Sequence, residues 1–393
     1  MKRISPLLLI LVLIGCNQQY VALEPIEQSV FHKQPLNFGE ATKQNDSVIR
    51  LQNGHIVLKK VTIPAFKNGT DASIKLTVRS NGDRWDKSGS CFVIKDLEKL
   101  SILDVSRDGK EFPENSSLKD YPGVLASESY NPVIELMRFM TPFGVGHYST
   151  DEDKNRRPVY VPKWEKEVVW EKDITELISL VSGEFYVGVW IDTWTKEGYE
   201  IDLGLSYSNR SQKQVKVMSL ANTVPYVNGQ KLPDFFADTT LNHQLELTEV
   251  AKNAKLHYTV TGHGGHSGGD EFIKIKSSIY FDSKLVLDTI PWRDDCASFR
   301  RFNPTSGVWL KKDSASYIDF KARKYMVKEI EERIASSDLS RSNWCPGSKV
   351  EPFVIELGNL SSGTHDLKIQ IPATTATEDK LNHWLVSAYV TYE

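Results

Sequence analysis

The feature that most constrains this chain is a period of two. Apolar residues alternate with polar ones at Ile74, Leu76 and Val78, and at Ile201, Leu203, Leu205 and Tyr207. They do so again at Leu256, Tyr258 and Val260, and at Leu367, Ile369 and Ile371. Successive side chains of a strand point to opposite faces, so the alternation predicts strands with one buried face. Two further runs, FYVGVWI at 185–191 and WLVSAYV at 384–390, are apolar on both faces, as strands inside a sandwich would be. These segments recur through both halves between Gly, Asn, Asp and Pro, which predicts an all-β chain of antiparallel sandwiches or jelly rolls, not βαβ units. At 393 residues the chain is long for one core, so two domains are expected.

The polar stretch SNRSQKQ at 208–214 divides them, giving an N-terminal domain over 51–210 and a C-terminal domain over 211–393. Residues 16–50 read as a tether followed by an edge segment. Helix is sparse. Asp173-Ile174-Thr175-Glu176 resembles a capping box, followed by Leu177, Ile178 and Val181 and ended by Gly183. KARKYMVKEIEERIAS at 321–336 has helical composition with Met326, Ile330 and Ile334 in a stripe, and is expected to be a helix inserted in a loop.

The chain begins MKRISPLLLILVLIGCNQQ. Lys2 and Arg3 form a basic start, Leu7 to Ile14 an apolar stretch too short to span a bilayer, and Leu13-Ile14-Gly15-Cys16 a lipobox. A lipoprotein signal over 1–15, with Cys16 acylated after cleavage, is expected. That implies a protein lipid-anchored to a bacterial membrane, extracytoplasmic, at the outer membrane or in the periplasm. The alternative is ordinary secretory cleavage beside an incidental cysteine. Losing two cations takes the formal charge from −3 to −5 (−3 − 2 = −5), without a basic block, which argues against nucleic acid. Of the remaining cysteines, Cys91 lies in the apolar run CFVI and is expected to be a buried thiol. Cys296 and Cys345 lie in polar, loop-like sequence and are paired here; closing that loop stabilises by about 4 kcal/mol on the chain-entropy argument.

Four stretches carry residue types suited to chemistry. Asn81-Gly82-Asp83-Arg84-Trp85-Asp86 falls between two strands, so two carboxylates, an arginine and an indole sit on a loop at a sheet end; it is equally ordinary turn sequence. Trp190-Ile191-Asp192-Thr193-Trp194 places an acid between two indoles on one strand face. TGHGGHSGGDEFIKI at 261–275 offers His263, His266, Asp270 and Glu271. His-x-x-His on a glycine-rich turn is not the helical zinc arrangement, and a copper site would want more histidine and a methionine near it, so no metal and no cofactor are expected. The glycines instead imply close backbone approach, handing Asp270 and Glu271 to the start of a strand. Arg341-Ser342-Asn343-Trp344-Cys345-Pro346-Gly347 holds an arginine and an indole beside the predicted disulfide. The nine tryptophans and fifteen tyrosines suit sugar stacking and are equally normal in an all-β protein.

In combination these stretches resemble the bacterial peptide:N-glycosidase F family of glycoamidases. The matching pieces keep the family's order: Trp85-Asp86, Met140-Thr141-Pro142-Phe143-Gly144-Val145-Gly146, Leu180-Val181-Ser182-Gly183, Asp192-Thr193-Trp194 with Gly198-Tyr199-Glu200, Thr261-Gly262 through Glu271, and Trp344-Cys345-Pro346-Gly347. The resemblance covers roughly residues 55 to 393.

It implies two adjacent eight-stranded antiparallel jelly rolls with the cleft between them. Asp86 matches the principal catalytic aspartate and Trp85 its aromatic neighbour. Glu271 matches the second essential acid, and Asp192 replaces a third that is a glutamate in the family. Trp194, Arg341 and Trp344 match residues lining the sugar cleft; Lys87 stands for an arginine and His263 for a tryptophan there. Two small-loop disulfides of the best-known members are missing. Insertions near 104–135, 147–165 and 307–340 stand at the rim. The implied partners are N-glycosylated proteins or glycopeptides, cleaved by a monomer. The alternatives are a catalytically weak glycan-binding lipoprotein and, further off, a copper-dependent monooxygenase-like protein.

Overall fold

Each alternating segment forms an antiparallel strand, and the strands stack as two sandwiches. A computed structural model describes residues 24–39, 47–64, 70–115, 118–147, 161–209, 215–230, 232, 235–264, 269–373 and 382–393. Cys16 with the lipobox, His266 and residues 210–214 of the expected divide lie outside the described residues.

The N-terminal sandwich packs a four-stranded sheet (Ile26–Leu36, Tyr199–Asn209, Thr70–Ser80, Val168–Asp173) on a six-stranded one. The latter runs Lys349–Val350, Ile134–Met140, Ser88–Ile94, Gly183–Ile191, Ile56–Ile63, Ile49–Leu51, so its edge is supplied by a strand from the C-terminal half. Ile74, Leu76, Val78, Leu203 and Leu205 meet Val187 and Val189 in the core between them. The C-terminal sandwich pairs two four-stranded sheets, one through Ala251–His263 and His383–Tyr392, the other through Ser277–Phe281 and Gly363–Gln370. Leu256, Val260, Ile279, Leu367, Ile369 and Val386 fill its core.

The runs that are apolar on both faces have a reason. Phe92, Trp190, Ile56 and Leu58 on the outer face of the six-stranded sheet bury against Val224, Tyr226 and Leu385 of the second sandwich. One face of each run thus serves its own sandwich and the other serves the junction. That junction also holds a buried polar set. Arg138 Nε donates to Glu135 Oε2 (3.0 Å) and its Nη1 to Thr261 Oγ1 (3.3 Å), while Tyr226 Oη donates to Glu135 Oε1 (3.3 Å). Every member has a partner, as a polar group withdrawn from water requires.

Two expected helices are not helices. Residues 321–336 contribute the strand Lys324–Ala335, which pairs with Val308–Asp319 in a separate two-stranded ribbon. A spacing of four puts Met326, Ile330 and Ile334 on one helix face, and on one strand face as well, because four is a multiple of two. Cross-strand partners Tyr317, Asp313 and Trp309 decide for the strand. Residues 173–183 fold as tight turns with a short 3-10 segment, Thr175–Leu177. Asp173 Oδ1 accepts the Thr175 N–H (2.8 Å), and the bonds that follow span three residues, including Leu180 N to Leu177 O (2.9 Å). These turns bring Ile174, Leu177 and Val181 into the core together. The expected buried thiol and disulfide are both present: Cys91 is free and buried, and Cys296 bonds Cys345 across 5.0 Å between Cα atoms.

Candidate active site

The loop between Thr70–Ser80 and Ser88–Ile94 is held from three sides. Asp83, fully buried, accepts the Trp85 N–H at 3.1 Å and the Thr193 hydroxyl at 2.7 Å, and its carbonyl accepts the Ser80 hydroxyl at 2.6 Å. The Trp85 carbonyl accepts Tyr199 Oη (3.0 Å), and the Lys87 N–H donates to Thr141 Oγ1 (2.8 Å). Thus the Met140–Gly146 stretch and Tyr199 clamp the backbone on either side of Asp86. The Trp85 ring is left 53% exposed, and the Asp86 side chain 16%. Burial pushes the Asp86 carboxyl above its ordinary range, opposed by Arg341 and Lys87 and reinforced by Asp83.

Asp192 follows the strand Gly183–Ile191, and its N–H donates to the Ser88 carbonyl (3.0 Å). The two indoles beside it separate. Trp190 is buried in the junction core, edge-on to Tyr226, because the strand ends at Ile191 and the face alternation ends with it. Trp194 is 58% exposed, and its Nε1 donates to Asp192 Oδ1 at 2.9 Å. Phe38 and the buried His55 back the Trp194 ring, at 5.2 and 4.6 Å between centroids. Burial raises the Asp192 carboxyl, while Lys87 and the Trp194 N–H oppose the rise. Lys87 therefore acts electrostatically on both Asp86 and Asp192.

Glu271 comes from the other sandwich. It lies in a one-turn 3-10 segment, Asp270–Phe272, and the strand after it begins only at Ser277, so the expected strand start at Glu271 is corrected. The segment is tied to 341–342 instead. Ser342 donates its hydroxyl to the Asp270 carbonyl (2.7 Å) and its N–H to the Glu271 carbonyl (2.9 Å). Gly264, at φ +149°, has no room for a Cβ, which would fall 2.2 Å from Asn382 Oδ1, and its N–H bonds the Glu271 carboxylate. Of the two adjacent acids, fully buried Asp270 accepts from Trp384 Nε1 (2.9 Å), and Glu271 turns toward Arg341.

Arg341 joins the two halves. Its Nε donates to Glu271 Oε1 at 2.7 Å and its Nη2 stands 3.7 Å from Asp86 Oδ2. Leu339 carbonyl takes Nη1 (2.8 Å), and the guanidinium lies over the rings of Phe272 (5.1 Å) and Trp344 (4.8 Å). Burial drives the Glu271 carboxyl up to about 7 against the pull of Arg341, and Asp86 adds to the rise. Two carboxylates thus face one guanidinium.

Trp344 and His263 hold other places than the cleft-lining ones expected of them. Trp344 is 4% exposed, because its ring supports Arg341 and its Nε1 donates to the Gly262 carbonyl (2.8 Å). His263 is buried behind it, stacked between Trp344 (5.4 Å) and His383 (4.9 Å), with Nε2 on Thr261 Oγ1 at 2.9 Å. Burial, His383 and Arg138 keep that imidazole neutral, well below its ordinary pKa. Among the described residues no group of three His, Cys, Asp or Glu side chains could hold a metal ion. Asp83, His55 and Tyr199 were not singled out as site residues from the sequence. The one available signal was Asp83 in the Asn-Gly-Asp turn, two residues before Trp85, where an aspartate commonly caps the backbone.

Residues 27–207 match the family model described as peptide-N-glycosidase F, N terminal, and residues 231–391 the corresponding C-terminal model. The structure of PNGF-II is similar at TM-score 0.81 and 36% identity, over 94% of this chain and 65% of that one. Recombinant PNGase F is similar at TM-score 0.59 and 16% identity, over 94% and 95% of the two chains. PNGase F described as a glycosylasparaginase from Flavobacterium meningosepticum gives 0.57 and 16%, over 94% and 96%. A comparison with curated protein sequences returned no match. With both halves matched in order, and the sandwiches superposing on solved members, the chain belongs to the peptide-N-glycosidase F family.

Proposed function

We propose that this protein is a glycoamidase that hydrolyses the amide bond between asparagine and the innermost N-acetylglucosamine of N-linked glycans, with carboxylates supplying the acid and base. The observation that carries this reading is the pair Asp86 and Glu271 about one buried Arg341. Glu271, bonded by the Arg341 Nε–H and the Gly264 N–H, is the base that activates a water. The water oxygen bonds to the side-chain carbonyl carbon as Glu271 takes a proton from it, and the amide bond between that carbon and the sugar-bearing nitrogen breaks. Asp86, which meets Arg341 only at 3.7 Å, carries the proton and delivers it to the departing nitrogen. The products are aspartate in the peptide and a glycosylamine. Asp192, with Trp194 bonded to it, holds the chitobiose core, and the exposed rings of Trp85 and Trp194 offer stacking faces.

The lipobox supports anchorage through Cys16 outside the cytoplasm, where N-glycosylated proteins would be the substrates. The test is mass spectrometry of a defined N-glycopeptide incubated with the protein, with and without chelator. Conversion of asparagine to aspartate in both arms supports the proposal. Binding without conversion contradicts the hydrolase, and loss of conversion on chelation contradicts the metal-free chemistry.

A further inference from the structure

Six of the fourteen large apolar side chains exposed among the described residues sit on one element, the ribbon of Val308–Asp319 and Lys324–Ala335: Leu310, Tyr317, Ile318, Phe320, Tyr325 and Val327. A folded protein in water rarely gathers exposed apolar groups this way unless they meet something. They are not spread evenly. Lys311, Lys312 and Asp313 and, opposite, Lys328, Glu329, Glu331, Glu332 and Arg333 keep the root half charged. The distal third gathers the exposed apolar groups among the charged Asp319, Lys321, Arg323 and Lys324, with Ile318 paired to Tyr325, Val327 on the same face, and Phe320 in the turn, 85% exposed. Asp319 builds that turn by accepting the N–H groups of Lys321 (2.9 Å) and Ala322 (3.0 Å).

The root of the ribbon reaches the candidate site. Trp309 lies 5.2 Å from the ring of Phe272, the residue after Glu271, and Phe272 lies under Arg341. Beside the root, Arg84, Thr305, Gly307, Val308 and Arg333 line a pocket of about 380 Å3, and the Arg84 guanidinium lies over the Trp85 ring at 5.2 Å. Neither strand of the ribbon pairs with a third among the described residues, so both outer edges present main-chain donors and acceptors.

We infer that the ribbon is a docking arm for extended polypeptide, the chain that carries the glycosylated asparagine out of the site. Unpaired strand edges are the natural partner of an extended main chain, and apolar side chains at the tip give it a grip. The inference rests on the proposed substrate. It has a length scale: strands rise about 3.3 Å per residue, so the tip stands roughly 35 Å from the root. An extended peptide covers that span with roughly ten residues. Substrates shorter than this on the ribbon side cannot reach the apolar tip.

The experiment compares two glycopeptides bearing the same glycan, one with about two residues on each side of the asparagine and one extended to about fifteen. The wild type is measured beside the triple variant Phe320→Ser, Tyr325→Ser, Val327→Ser. These positions are exposed, so the variant keeps its fold. For the wild type the long peptide should show a KM about tenfold lower than the short one at equal kcat, and the variant should lose that preference. Equal KM values in the wild type, or a preference that survives in the variant, overturn the inference. So does a wild-type dimer that the variant converts to monomer by light scattering, since the tip would then serve a second copy. If neither peptide is cleaved, the reading of the acid pair fails. The arm is then judged by binding of the long peptide without glycan: tip-dependent binding supports it and absent binding overturns it.

Discussion

Arg341 and Glu271 form a hydrogen-bonded ion pair at 2.7 Å with both side chains out of water, 2% and 9% exposed, and the same guanidinium faces Asp86 across the junction of the two sandwiches. The pairing sets a pH dependence. One acid must hold a proton and the other must lack it. Burial raises Glu271 to about 7 and raises Asp86 as well, so kcat/KM should change with pH near 7 and fall above the upper apparent pKa of the pair, where the acid has lost its proton. Below the lower apparent pKa of the pair both acids are protonated and the rate falls again. Arg341→Lys keeps the charge but not the fork, and should lower kcat/KM about 100-fold. A pH-independent rate between 6 and 9 would contradict this division of roles.

Asp192 is expected to act on binding. Asp192→Ala removes the acceptor that orients the exposed Trp194, and should raise KM for the glycopeptide about tenfold while kcat changes little. Asp192→Asn retains an acceptor oxygen and should fall between. A loss confined to kcat would move Asp192 into the chemistry.

His263 links the site to the stability of the junction. Arg138 donates to Thr261 Oγ1, which leaves the threonine hydroxyl hydrogen for a neutral His263 Nε2. The folded imidazole has a depressed pKa, so the native state binds fewer protons than the unfolded chain once pH drops below about 6.5. Stability is therefore lost on acidification, by up to about 1.4 kcal/mol per pH unit from this group. Thermal unfolding of His263→Phe between pH 7 and 4.5 should show a shallower loss than the wild type. Parallel curves would show that His263 does not contribute.

The disulfide braces the loop that carries Arg341 and Trp344. Its cysteines are 49 residues apart in sequence, so replacing both by serine should cost about 4 kcal/mol in denaturant unfolding. Because Trp344 adjoins Cys345 and supports Arg341, activity per folded molecule should fall too. Full activity in the folded fraction would separate the brace from the site.

The sandwiches were legible because alternation at positions such as Ile74 to Val78 and Leu256 to Val260 reports a buried face directly. The disulfide and the thiol of Cys91 followed from the polarity of their neighbours. The ribbon was not legible, since Met326, Ile330 and Ile334 satisfy helix and strand alike, and only the cross-strand partners choose. Trp85, Asp86 and Glu271 stood out as chemistry-bearing residues. Their meeting at Arg341 depends on how two distant halves of the chain dock, a relationship no local pattern encodes. Burial of Trp344 and His263 was hidden for the same reason: aromatic residues near a polar loop look alike whether they face a ligand or prop up an arginine.

The most direct test of the acid pair is kinetic. Asp86→Asn and Glu271→Gln preserve shape and remove the proton chemistry, and each should still bind a defined N-glycopeptide within about tenfold of the wild type while kcat drops by roughly 1,000-fold. Asparagine-to-aspartate conversion at near wild-type rate in either variant would contradict the assignment of the reaction to that pair.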